Sequence, residues 1–198
     1  RQQISRSGLP LQLSAGLIDV NVEGVWNTEN SDLEVGVRLR LNEMAGEYAQ
    51  NQFSGFNTQL EFLGSNGWLL THPAKFNIAA INAGIMIENL SVSLDKMEYQ
   101  TQEQPLILLT DLSASVLDGN LFANKIEVDL NQSENAFSIY LSSLSLEQLL
   151  ELNQTEDLLT SGTLNGELPV QIKDGEVLIH HGWLRADDKG GYIKYPRI

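Results

Sequence analysis

The chain contains no cysteine, which excludes disulfides, zinc–thiolate sites and thiol nucleophiles together. Positive charge is scarce: twelve Lys and Arg stand against twenty-six Asp and Glu, a formal net charge of −14. Such a surface repels phosphate backbones, so nucleic acid is not an expected partner. It also gives no polybasic patch for anionic headgroups. Any lipid would be held by its apolar tails, with the headgroup left in water. Apolar runs are short, none approaching the 18 or more residues of a membrane-spanning helix, and no charged-then-apolar signal segment opens the chain. The sequence starts at Arg1 and not at Met, as expected of a segment of something longer whose signal or anchor lies elsewhere.

What is present suits a folded chain. Hydrophobic residues make up 42% of the 198 positions and charged residues 19%, enough for a sizeable core. Period-two alternation dominates. Leu33-Glu-Val35-Gly-Val37-Arg-Leu39-Arg-Leu41 puts five apolar residues on one face and Glu34, Arg38 and Arg40 on the other, as a half-buried strand does and a helix does not. Similar runs start at Phe56, Leu90, Ile126 and Phe137. No Pro-rich linker, low-complexity tract or composition break divides the chain, so 1–198 reads as a single β domain. Apolar segments recur without a fixed period, which favours an antiparallel meander over a solenoid or propeller.

Turn chemistry supports the strand count. Asn66-Gly67, between Phe62-Leu63 and Trp68-Leu69, carries the type I′ hairpin signal. Asp118-Gly119-Asn120 marks another turn, compatible with a two- or three-residue loop. Taking Asp174-Gly175 as a loop pairs Lys173 with Glu176, Ile172 with Val177 and Val170 with Ile179. Opposite charges and branched aliphatics then face each other, each pair contributing roughly 0.2–1 kcal/mol. One segment reads as helix: Ser145-x-x-Gln148 has capping-box spacing, followed by Leu146, Leu149, Leu150 and Leu152, with an end near Asn153.

Motifs for chemistry are missing from the pattern. His180 and His181 are adjacent, and adjacent strand residues point to opposite faces, so they are not expected to share an ion; His72 is remote in sequence. Asp187-Asp188-Lys189-Gly190-Gly191 lacks calcium-loop spacing and reads as a turn. Phe53-Ser54-Gly55-Phe56 only superficially resembles a nucleophile elbow, and there is no P-loop or dinucleotide fingerprint. The sequence therefore predicts no enzyme, no cofactor and no metal site. Arg38 and Arg40 read as a solvated face, and Trp26, Phe53, Phe56, Phe62, Trp68, Phe76 and Phe137 as core.

The last third carries a resemblance. Leu130-Asn131-Gln132-Ser133, Leu144-Ser-Leu146-Glu-Gln-Leu149-Leu150 and Ser161-Gly162-Thr163-Leu164-Asn-Gly166-x-Leu168-Pro169-Val170 precede the Asp174-Gly175 hairpin and Gly182-x-Leu184-x-Ala186. The set resembles the C-terminal region of the YdbH family, within the wider group of AsmA-like and TamB-like envelope proteins. It covers about residues 107–198, and the first half only in general texture; Asp187-Asp188-Lys189 is more charged than the family pattern leads one to expect.

The resemblance implies a periplasmic protein of Gram-negative bacteria, anchored in the inner membrane by a part outside this chain. Its fold would be all-β with one short helix: an elongated, curved antiparallel sheet, trough-like or an open half-barrel. The implied function is intermembrane phospholipid transport, with acyl chains shielded in an apolar β groove. The implied partner is a small outer-membrane lipoprotein that adds a strand near the C-terminal end. An older family label points to dicarboxylate transport, which an acidic surface disfavours. The candidate lining set is Val35, Val37, Leu39, Leu41, Phe62, Leu90, Val92, Leu94, Ile126, Val128 and Leu130; the candidate partner edge lies around Leu184, Ile193 and Tyr195. The alternatives are a scaffold of the cell envelope that binds no lipid, and a sealed β-sandwich that binds carbohydrate or another surface. A sheet with one face uncovered separates the first reading from the last.

Overall fold

The structure is a computed structural model that describes residues 10–28, 32–64, 67–100, 105–152, 159–173 and 176–194. Strands β1 (Leu11–Asn27), β2 (Asp32–Tyr48), β3 (Asn51–Gly64), β4 (Gly67–Leu70), β5 (Ala74–Asn82), β6 (Met86–Gln100), β7 (Leu106–Val116), β8 (Gly119–Asp129) and β9 (Glu134–Ser145) follow one another. Helix α1 (Leu146–Glu151) comes next, then β10 (Leu159–Ser161), β11 (Thr163–Lys173), β12 (Glu176–Ile179), β13 (Trp183–Ala186) and β14 (Tyr192–Lys194). Twelve of these strands form one antiparallel sheet, β1-β2-β3-β4-β6-β7-β8-β9-β11-β12, with β5 between β3 and β6 and β13 beside β11. The sheet is curved and does not close into a barrel. β10 and β14 form a separate pair.

Two of the places in the sheet are shared by consecutive strands. β4 and β5 both lie between β3 and β6, separated by Thr71, His72 and Pro73. Proline has no N–H to give to the ladder, so the strand breaks there. β12 and β13 likewise share the outer side of β11, on either side of His180–Gly182. His181 has φ +50, so the two histidines occupy a break in the strand rather than successive strand positions. Their rings lie side by side with centroids 6.4 Å apart, which corrects the opposite-face expectation; the pleat rule does not apply outside a strand.

The expected register across 174–175 is the one observed: Lys173 faces Glu176, Ile172 faces Val177 and Val170 faces Ile179. The turn residues themselves lie outside the described residues. Val116 faces Gly119, so the Asp118 turn is a two-residue loop of Leu117 (φ 48) and Asp118 (φ 56), the type I′ geometry that follows the strand twist. Gly64 faces Trp68, so the β3–β4 link is one residue wider than an Asn66–Gly67 turn. Asp187–Gly190 is a turn as expected, closed by the Gly190 N–H donating to the Asp187 carbonyl at 2.8 Å.

The helix begins where the capping spacing places it. The Ser145 Oγ accepts from the Gln148 N–H at 3.3 Å, satisfying one of the N–H groups a helix start leaves unpaired. The reciprocal half of the box is absent, because the Gln148 amide donates to Asp118 at 2.5 Å instead. This ties the helix to the β7–β8 turn. α1 packs against β9 and β10.

The curvature has a local cause. Gly16, Glu43, Gly55, Asn89, Asp111 and Ser143 all have positive φ within strands, and register slips accompany them. The first four lie in a line across the sheet. Gly16 abuts Met44, the Glu43 N–H donates to Asn57 at 2.9 Å, and the Asn57 amide donates to the Gly55 carbonyl at 3.0 Å. Gly55 in turn abuts Ala79, and the pairs Ala80–Glu88 and Ile78–Leu90 bracket Asn89. Each bulge adds a residue to one side of its strand and bends it. Repeated across neighbouring strands, the bulges form a crease.

Candidate functional site

Cross-strand partners share a face, so the registers trace one surface through the sheet. Val22 faces Val37 and Val20 faces Leu39; Val37 then faces Phe62, and Leu39 faces Leu60. Phe76 faces Val92 and Ala74 faces Leu94, Leu94 faces Leu109, and Leu109 faces Ile126 while Ile107 faces Val128. Further on, Leu121 faces Leu141, Val170 faces Phe137 and Ile179. The stacked rings of Phe56 and Phe76, 6.0 Å apart, join β3 to β5 on this face. An apolar surface thus runs from one end of the sheet to the other.

Among the described residues, strands touch almost exclusively their hydrogen-bonded neighbours, and no second sheet covers this surface. Two clusters of side chains gather in its curve. One is built on Leu70, Ala74 and Leu94 with Phe62, Phe76 and Leu109 against them. The other is built on Val116, Leu141 and Leu144 with Ile87, Leu121 and Leu168 against them. Towards β1 the covering thins out, and Val20, Val22 and Trp26 are 62%, 62% and 59% exposed.

The opposite face carries paired polar groups on β2, β3, β6 and β8, beside the exposed pairs Leu63–Leu69 and Phe122–Tyr140. The Arg38 Nε donates to the Glu61 carboxylate at 2.8 Å, Arg40 donates to Gln59 at 2.9 and 3.1 Å, and Gln59 donates to Glu61 at 2.9 Å. Lys96–Glu98 and Lys125–Glu127 pair at 3.0 and 2.7 Å. The hydrogen bond from Arg38, and then that from Gln59, holds the Glu61 carboxyl below its usual value; the same contact raises Arg38. Arg38 and Arg40 therefore sit on the solvated face, as the alternation implies.

Of the candidate lining residues, Val35, Val37, Leu39, Leu41, Phe62, Leu90, Val92 and Val128 are half-buried on the apolar face, and Leu94 and Ile126 are buried there. Leu130 stands apart, exposed in the turn after β8. The set is incomplete: Ile18, Val20, Val22 and Trp26 of β1 extend the same face, and their own alternation marks them. The described candidate edge residues fall on two short strands that pair with the consecutive strands β11 and β10. Leu184 lies on β13 and faces Gly166 of β11, Ile193 lies on β14 and faces Thr160, and Tyr195 is outside the described residues. Among the described residues no three His, Asp or Glu side chains are grouped to hold a metal ion, and no helix is long and apolar enough to cross a membrane.

Comparison with known proteins gives this surface a context. The family described as "YdbH-like: Intermembrane phospholipid transport protein YdbH" matches residues 3–197. A curated relative, the "Probable phospholipid transport protein YdbH" of Escherichia coli (strain K12), is 29% identical over 137 residues. That match covers 68% of this chain and 15% of the relative, so the chain spans a small part of the relative's length. No solved structure matches. An open, one-sided apolar sheet and a match along nearly its whole length agree: the chain belongs to the YdbH-like family.

Proposed function

We propose that this chain is a periplasmic segment of an intermembrane phospholipid transport protein, and that its apolar face shields acyl chains on their way between membranes. The observation that carries the reading is the uncovered face. A sheet normally hides its apolar side against another layer; here the acyl chains of a lipid supply that layer, and their removal from water supplies the driving force. No reacting group is required. The headgroup stays in solvent, consistent with a protein of net charge −14 that offers anionic headgroups no basic cluster. The inner-membrane anchor belongs to a part of the protein outside this chain.

A strand partner fits the same architecture. β12 and β13 form the last place in the sheet, and among the described residues no strand pairs with their outer side, which suits strand addition. A small outer-membrane lipoprotein pairing there would continue the apolar face.

Site-specific photo-crosslinking tests the lipid reading in cells. Probes at Val37 and Val92 are expected to capture phospholipid, while a probe at Arg40, in the polar cluster with Gln59, is expected to capture none. Failure at both inner sites, or equal capture at Arg40, removes the conduit and leaves the scaffold reading.

A further inference from the structure

Thr58 interrupts the apolar run of β3. It lies between Phe56 and Leu60 and faces Leu41 across the ladder to β2. The pairing of Asn57 with Asn77 places it beside Phe76. The residue is 6% exposed, and its Oγ1 is closed to solvent with no hydrogen-bond partner among the described residues. Leu41, Phe56, Leu60 and Phe76 carry no side-chain acceptor. A buried hydroxyl without a partner is destabilising, and valine would fill the same volume without that cost. Satisfied buried polar groups are the rule in folded proteins, so an exception among the described residues marks a place where a ligand acceptor would be favoured.

We propose that the Thr58 hydroxyl is a docking point for the ester carbonyl of a diacyl lipid held on the concave face. The inference rests on the lipid reading above and makes it more specific. Below its headgroup a phospholipid has only one kind of strong acceptor, the carbonyl oxygens of its two ester linkages; the tails have none. Thr58 donates its O–H to one of them. The flanking Phe56 and Phe76 rings are half-buried and stacked on a face that no second sheet covers among the described residues, and docking requires side chains around Thr58 to shift and admit the carbonyl to the Oγ1. The lipid then lies with its tails along the trough and its headgroup turned out. A trough of this kind discriminates by linkage, because an ether-linked lipid of the same tails and headgroup lacks the acceptor.

The test compares two phosphatidylcholines of equal chain length, one diester and one diether, loaded onto the purified chain and quantified after detergent removal. The parent is expected to retain the diester about fivefold better, the worth of one net hydrogen bond. Thr58→Ser is expected to keep the preference. Thr58→Val is expected to hold both lipids at the diether level while melting no lower than the parent. Equal retention of the two lipids by the parent, or a preference that survives in Thr58→Val, overturns the assignment while lipid binding itself stands. Retention of neither lipid by the parent overturns the lipid reading and the assignment with it.

Discussion

At the scale of single residues, the two faces of the sheet follow different physics. On the polar face the Arg38–Glu61–Gln59 cluster sits in water, where such pairs contribute little to stability but leave a titration signature. Glu61 is held below its ordinary value of 4.5, chiefly by the hydrogen bond from Arg38. A carboxylate with a lowered folded value stabilises the fold above its unfolded value, and that contribution is lost as the pH falls through the folded one. An NMR titration of Glu61 is therefore expected to give a midpoint below 4.5, and Arg38→Gln is expected to move it upward. A midpoint unchanged by Arg38→Gln would mean that the contact does not persist in solution. On the apolar face the informative residue is Thr58, whose hydroxyl is the one buried side-chain polar atom left unpaired among the described residues.

At the scale of elements, the bulges decide the shape. Gly55 has φ +64, and a Cβ there would lie 2.6 Å from the Ala79 Cβ, so both the backbone and the neighbouring strand demand glycine. Gly24, by contrast, has a strand neighbour no closer than 3.8 Å, the Leu33 Cδ1. Gly55→Ala is expected to lower the stability by about 1–3 kcal/mol, whereas Gly24→Ala is expected to be neutral or slightly stabilising; urea unfolding of the two variants measures the difference. Equal effects would show that the crease tolerates a side chain. The ladder between β8 and β9 is also short, with pairs registered only from Asn120–Ser142 to Phe122–Tyr140. Beyond it the Asn135 amide bridges the divergence by accepting from the Asp129 N–H at 2.8 Å and donating to its carbonyl at 3.0 Å.

At the scale of the molecule, one property governs the rest: the apolar face is shared by the strands of the large sheet and, among the described residues, no second sheet covers it. Leu94 and Ile126 are buried by the curve itself, whereas the β1 end leaves valines and a tryptophan in solvent. Apolar side chains exposed in this way offer a hydrophobic dye a surface to adsorb on. The folded chain is expected to bind the dye anilinonaphthalene sulfonate, and preloading with phospholipid is expected to suppress the signal. A native chain that leaves the dye dark would require the face to be closed in solution.

The strands, their alternation and the 173–176 register were legible in the sequence because each depends on neighbours along the chain or across a tight turn. The same locality made the apolar side of these strands readable from Val35 to Val128. The left-handed residues Glu43, Asp111 and Ser143 were not legible, since ordinary polar residues adopt that conformation only when adjoining strands impose it. Nor was the pairing of β14, which carries Ile193, with β10, because it joins segments distant in sequence. Alternation determines that a strand has an oily side. Only the tertiary structure decides whether another layer packs on that side, because covering a face depends on contacts between remote parts of the chain, and among the described residues no second sheet makes them.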